Sequence, residues 1–181
     1  NMKNILLLLA LFIVAFSCNT TSQPKSEETP KIEDVPTAIG IQITNDGVRS
    51  SIVVGEMGNT SIWEKYIKAH NDKDLETIAS INAIDFKGYP PNGTVIDGSE
   101  THISFLKKWF ADSNPKWTTR WMIANAATNK DGVEQQWLTT GQELTDSVEG
   151  EQITLNHIHD VLFVDGKIKM INVYERAKAI E

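Results

Sequence analysis

Apolar and polar residues alternate with a period of two along the C-terminal part of the chain, in "KWTTRWMIANAATN", "GVEQQWLTTGQELTDSV", "EQITLNHIHDVLFV" and "KIKMINVYERAK". Such alternation sends successive side chains to opposite faces of a strand, so these segments predict four long strands. The breaks between them, "NKDG", "EGE" and "DG", are short enough to make every junction antiparallel.

Upstream the period lengthens. In "TSIWEKYIKAHNDKDLETIASINAI", Ile62, Trp63, Tyr66, Ile67 and Ala69, then Leu75, Ile78, Ala79 and Ile81, recur at i, i+3, i+4 spacing. The break at "HNDKD" divides them into two antiparallel helices, the first capped by Thr60 or Ser61 and the second opened by Asp74. "SETHISFLKKWFADSNP" predicts a third helix, opening at Ser99, carrying Ile103, Phe105, Leu106, Trp109 and Phe110 on its apolar face and ending before Pro115. The breaker-rich "DFKGYPPNGTVIDG" between them predicts a short strand and a loop. "IGIQITNDGVRSSIVV" has two β-branched runs around Asn45-Asp46-Gly47, a hairpin signal for either an extension of the sheet or extended chain. Helices gathered on one face of an antiparallel sheet define an α+β architecture.

Composition changes the picture mainly at the N-terminal end. Lys3, the apolar run 5–16 and Ser17-Cys18 have the layout of a secretory signal, and the run is shorter than the roughly 18–20 residues that span a bilayer. "AFSC" resembles a bacterial lipobox, with Phe16 bulkier than usual there. The resemblance implies cleavage before Cys18, the chain's single cysteine, and acylation there, hence a secreted protein lipid-anchored to a bacterial membrane, on the periplasmic side or the cell surface. The polar segment that follows reads as a disordered tether. The expected divisions are 1–17 signal peptide, 18–38 lipidated cysteine and tether, 39–59 extended chain or hairpin extension and 60–181 folded domain. A formal net charge of −7 with interspersed signs argues against nucleic acid, which needs a basic face.

The element order, with "WEKYIKAHNDKDLETI", "DGSETHISFLKKWF" and "HDVLFVDGKIKMINVYERAK", resembles the NTF2-like superfamily, in its SnoaL-like and ketosteroid-isomerase-like branch, over residues 60–178. The resemblance implies a cone: a curved antiparallel sheet wrapped around three helices, enclosing an apolar cavity. It also implies roles. Tyr66, eight residues before Asp74, matches the family's oxygen-polarising Tyr, and Asp160, which opens "DVLFVDG", matches its oxyanion Asp. The position of the family's base is held by Tyr89, before Pro90. A phenol of ordinary pKa, near 10, stays protonated at neutral pH and is no base. Glu175, at a position where the family often has a pocket aromatic, either supplies a carboxylate from the opposite wall or is a solvated glutamate at a strand end.

The segment "LNHIHDVLFVDGKI" holds two of the chain's four histidines. On a regular strand His157 and His159 share a face with Leu155 and Val161, while Asp160 shares the other with Asn156, Ile158 and Leu162. With Asp160 turned to the cavity, both histidines face outward, on a convex face made apolar by Ile153, Leu155, Val161 and Phe163. That implies a homodimer through the convex sheet face. His70 and His102 lie on helices, and without a cysteine ligand the set falls short of a metal site; no cofactor is called for. Trp63, Phe105, Trp109 and Trp121, with Tyr89, are the expected aromatic pocket, and core filling is the alternative for each tryptophan, Trp117 and Trp137 included.

Three functions fit. One is a membrane-tethered cup for a small, largely apolar molecule. A second is an enzyme of the isomerase, cyclase or hydro-lyase type, abstracting a proton next to a carbonyl, with Tyr66 and Asp160 as candidate catalytic residues. A third is a dimeric interaction module.

Overall fold

In the computed structural model, which describes residues 37–178, four long strands form the middle of one curved, open sheet. Cys18, the signal segment and the tether lie outside the described residues. The elements are β1 (Ala38–Ile43), β2 (Arg49–Val54), α1 (Gly58–Asp72), α2 (Leu75–Ile81), β3 (Asn82–Tyr89), β4 (Ile96–Asp97), α3 (Ser99–Asp112), β5 (Lys116–Thr128), β6 (Glu134–Val148), β7 (Glu151–Val164) and β8 (Lys167–Ala177). The strand order is β1-β2-β5-β6-β7-β8-β3-β4. The β5–β8 meander is antiparallel throughout, β3 runs parallel to β8, and the upstream hairpin extends the sheet beyond β5.

Local chemistry sets the element ends. Asp74 caps α2 by accepting from the Thr77 amide at 2.9 Å, as its position predicts. The first helix differs from expectation: it starts after Met57, without a side-chain cap, so Thr60 and Ser61 lie inside its first turns. It ends where Lys73 adopts a left-handed conformation, φ 60°, and its N–H returns to the His70 carbonyl. Asn71 then bridges to the start of β5, donating to the Trp117 carbonyl and accepting from the Trp117 amide, both at 2.8 Å. This pair of bonds fixes the end of α1 against the sheet.

The core lies between the helices and the concave side of the sheet. Trp63, Tyr66, Ile67, Ile78, Leu106 and Phe110 pack against Leu138, Leu144, Val161, Phe163, Ile168 and Ile171. The row Ile153, Leu155, Val161 and Phe163 therefore faces the helices, with His157 and His159 in the same row, and not the convex side as expected. Burying the more continuously apolar row of β7 is what the hydrophobic effect demands. The row Asn156, Ile158, Asp160 and Leu162 is the more polar one and takes the outside.

A β-bulge at Thr119/Trp121 in the β5–β6 ladder has a second consequence. Trp117 is buried in the core, and strict alternation would bring Trp121 to the same face. The extra residue, Arg120, inverts the parity, so Ala124 and Ala126 are buried and Trp121 turns outward.

Candidate functional site

Between α1, α3 and the concave face of β3, β6, β7 and β8 lies a cavity of about 260 Å³. Each wall follows from the elements just described. The inward face of α1 carries Trp63, Tyr66 and His70, and that of α3 carries His102, Leu106 and Trp109. From the sheet come Phe86, Leu144, Asp146, Leu155, His157 and His159, then Ile171, Val173 and Glu175 on β8. Pro91, Phe105 and Glu175 are its exposed members and mark the mouth, whereas Trp63, Tyr66, Phe86 and His159 are buried at the closed end.

All four histidines of the chain line this one cavity. Their hydrogen bonds assign their tautomers. His70 Nδ1 lies 2.8 Å from the Tyr66 carbonyl, which only accepts, so Nδ1 carries the hydrogen and Nε2 presents a lone pair. The Tyr66 hydroxyl donates to Asn82 Oδ1 at 2.8 Å, which orients the Asn82 amide nitrogen toward His102 Nδ1, 3.1 Å away, and Ser99 Oγ, 3.3 Å away. His102 Nδ1 thus accepts, and Nε2–H is left as a donor. At the mouth, His157 Nε2–H donates to Glu175 Oε2 at 3.1 Å, leaving Nδ1 to accept from His159 Nε2–H at 3.4 Å. His159 Nδ1 and Trp63 Nε1, both in the wall, have no hydrogen-bond partner among the described residues. Polar atoms left so cost stability, about 1–3 kcal/mol each.

These histidines are neutral at neutral pH. Burial pulls His70 down to about 4 against the hydrogen bond to Tyr66, and pulls His102 and His159 to about 3, with neighbouring histidines adding to the effect. His157 is also held below its ordinary value by burial, with Glu175 opposing. The His157–Glu175 contact has the geometry of an ion pair, yet desolvation dominates, so it is a hydrogen bond from a neutral imidazole to a carboxylate. Burial raises the Tyr66 hydroxyl well above a free phenol. Among the described residues no three His, Cys, Asp or Glu side chains converge to hold a metal ion.

Of the residues singled out in the sequence, Tyr66, Trp63, Tyr89, Phe105, Trp109 and Glu175 are brought to the cavity. Two are not. Asp160 lies on the convex face, where its Oδ1 accepts from Thr139 Oγ1 at 2.8 Å, opposite Thr139 and Asn172 in the ladders. The expected pairing of Tyr66 with Asp160 is therefore not assembled: they occupy opposite sides of the sheet, and the Tyr66 hydroxyl is spent on Asn82. Trp121 lies 42% exposed on the convex face, over Gly141, where an added Cβ would meet its ring at 2.3 Å. Sequence reasoning assigned no role to Asn82 or Asp146, and placed His157 and His159 outside. The apolar count along the His157 row was the signal that pointed inward.

No family profile and no curated protein matches the chain. Solved structures do. A Mycobacterium tuberculosis protein described as an LEH-like epoxide hydrolase superposes with TM-score 0.54 at 14% identity, over 65% of this chain and 82% of that one. A Kribbella flavida protein described as a ketosteroid isomerase gives 0.52 at 15% identity, over 68% and 80%. A Xanthomonas campestris protein described as a polyketide cyclase gives 0.51 at 17% identity, over 64% and 88%. With the order of three helices and a curved, open eight-stranded sheet, these likenesses show that the chain has the NTF2-like fold.

Proposed function

We propose that this chain is a lipid-anchored NTF2-like domain that holds a small, largely apolar molecule in its cavity, tethered through Cys18 to a bacterial membrane. One observation carries it: a hollow of about 260 Å³, open at one end and walled by Trp63, Tyr66, Phe86, Leu106, Trp109 and Trp117, with some of its polar groups oriented by hydrogen bonds. Ligand sites have this character, mostly apolar with few oriented polar atoms. Trp109 shows how they are oriented, because its indole N–H donates to Asp146 Oδ2 at 2.8 Å. The test is titration of tryptophan fluorescence with one-ring hydrocarbons in the parent chain and in Val173→Trp, which fills the hollow from β8. Binding in the first and loss in the second, with the circular dichroism spectrum kept, is the expected result; no binding in either removes the proposal.

A second function, acid–base catalysis next to a carbonyl, is favoured by the carboxylate–imidazole pair of Glu175 and His157 at the mouth. With Asp160 outside the cavity, this pair is a candidate for the proton-abstracting group, beside Asp146, the other carboxylate of the wall, which accepts from the Trp109 indole. A ketone that turns over in the parent and not in Glu175→Gln would establish it.

A second copy of the chain is proposed to cover the convex face. Trp121, Gly141, Ile158 and Tyr174 stand opposite one another in register across β5–β8, and Trp121, Ile158 and Tyr174 are 42%, 43% and 58% exposed. A contiguous apolar row on a sheet face suits a self-complementary partner.

A further inference from the structure

His70 and His102, which face each other across the cavity from α1 and α3, differ in what they offer a ligand. Both rings are buried, 6% exposed for His70 and 7% for His102, and their centroids are 6.0 Å apart. His70 is held by the Tyr66 carbonyl and packed edge-on against Trp117 and Phe110. His102 is held by Asn82 and stacked on Phe86 with centroids 4.5 Å apart. Nε2 of His70 accepts, and Nε2–H of His102 donates.

We propose that the helix side of this cavity recognises the hydroxyl group of an uncharged one- or two-ring molecule, a phenol or an aromatic alcohol, through Nε2 of His70 as acceptor and Nε2–H of His102 as donor. This rests on the cavity being a ligand site, as proposed above. A hydroxyl is the simplest group that both donates and accepts, and so satisfies both imidazoles; an ether or a ketone only accepts, and would leave the His70 lone pair buried without a partner.

Charge points the same way. Among the described residues no lysine or arginine lines the cavity, whereas two carboxylates, Asp146 and Glu175, do. A carboxylate ligand would lose its hydration without gaining a counter-charge. The histidines supply none, since burial holds His70 and His102 at about 4 and about 3. Size limits the rest of the molecule: a cavity of about 150 Å³ takes benzene, so about 260 Å³ suits one or two rings.

The experiment is a calorimetric titration of the full chain with phenol, anisole, toluene and benzoate, with nitrogen NMR on His70 and His102. Phenol is expected to bind about tenfold more tightly than toluene or anisole, the effect of one net hydrogen bond, with benzoate weakest and the His70 and His102 ring nitrogens shifting on phenol addition. His70→Phe and His102→Phe are each expected to bring the phenol-to-toluene affinity ratio down toward one. Equal affinity for phenol and toluene overturns the hydroxyl assignment and leaves the apolar-ligand function standing, and tightest binding of benzoate overturns it as well. Binding of none of the four removes the ligand-site proposal and this one with it. Should the phenylalanine variants fail to fold, the four affinities of the parent chain still decide.

Discussion

His157 and Glu175 stand directly opposite one another in the β7–β8 ladder, and the imidazole Nε2 lies 3.1 Å from the carboxylate Oε2 at the mouth of the cavity. Burial lowers the His157 pKa while the carboxylate pulls it back up. Glu175→Gln removes the upward pull and keeps the side-chain shape. The titration midpoint of His157, followed by proton NMR, is therefore expected to fall further in the variant. A midpoint that stays put would mean that the two side chains do not meet in solution.

Three buried histidines, His70, His102 and His159, make the domain acid-sensitive. In the unfolded chain each titrates near 6.5, whereas in the fold His70 does so at about 4 and His102 and His159 at about 3. Below pH 6.5 the unfolded state binds protons that the folded state refuses, so stability is full above that pH and is lost as pH falls toward the folded values. Each such histidine costs about 1.4 kcal/mol per pH unit in that window, against a total of about 5–15 kcal/mol for a domain. The urea midpoint is expected to drop steeply between pH 6.5 and 4, and replacing His159 with Phe should flatten the slope. A midpoint flat across this window would contradict neutral burial.

Asp160→Asn tests the position of the carboxyl that the family resemblance made prominent. On the convex face, with Thr139 as its partner, the substitution keeps an acceptor oxygen for the 2.8 Å bond. Stability should change by less than about 1 kcal/mol, and affinity for apolar probes should not change. A tenfold loss of probe binding would show that Asp160 reaches the cavity.

The proposed second copy has a direct test in sedimentation. Ile158→Glu and Tyr174→Glu place a charge on the exposed row and should yield a monomer with its circular dichroism spectrum intact. Leu155→Glu and Val161→Glu should instead destabilise, because both positions lie on the concave side, Val161 fully buried. Gly141→Ala offers a milder probe, since its Cβ would displace the Trp121 ring from its seat and change that tryptophan's emission.

Much of the fold was legible in the sequence, because strand and helix periods depend on neighbours a few residues apart. The four meander strands, the break near Lys73 and the Asp74 cap need only local rules. The start of α1 was less so: Thr60 and Ser61 are good capping residues, but the helix begins earlier, at Gly58, with no side chain capping it. Of the site, Trp63, Tyr66, Phe105, Trp109, Tyr89 and Glu175 were visible as helix-face or strand-end positions. Trp121 was not, because one extra residue in β5 reverses every side chain beyond it.

What the sequence determined by itself is the order of the three helices and the four meander strands, since these follow from apolar spacing and turn residues along one stretch of chain. What only the tertiary structure decided is which side of β7 faces the helices, and therefore that His157 and His159 join His70 and His102 in one cavity while Asp160 faces away. A period of two leaves two equivalent orientations of a strand with mixed faces. The choice between them is made by how much apolar surface each buries against α1, α3 and the neighbouring strands, a sum over residues far apart in the chain.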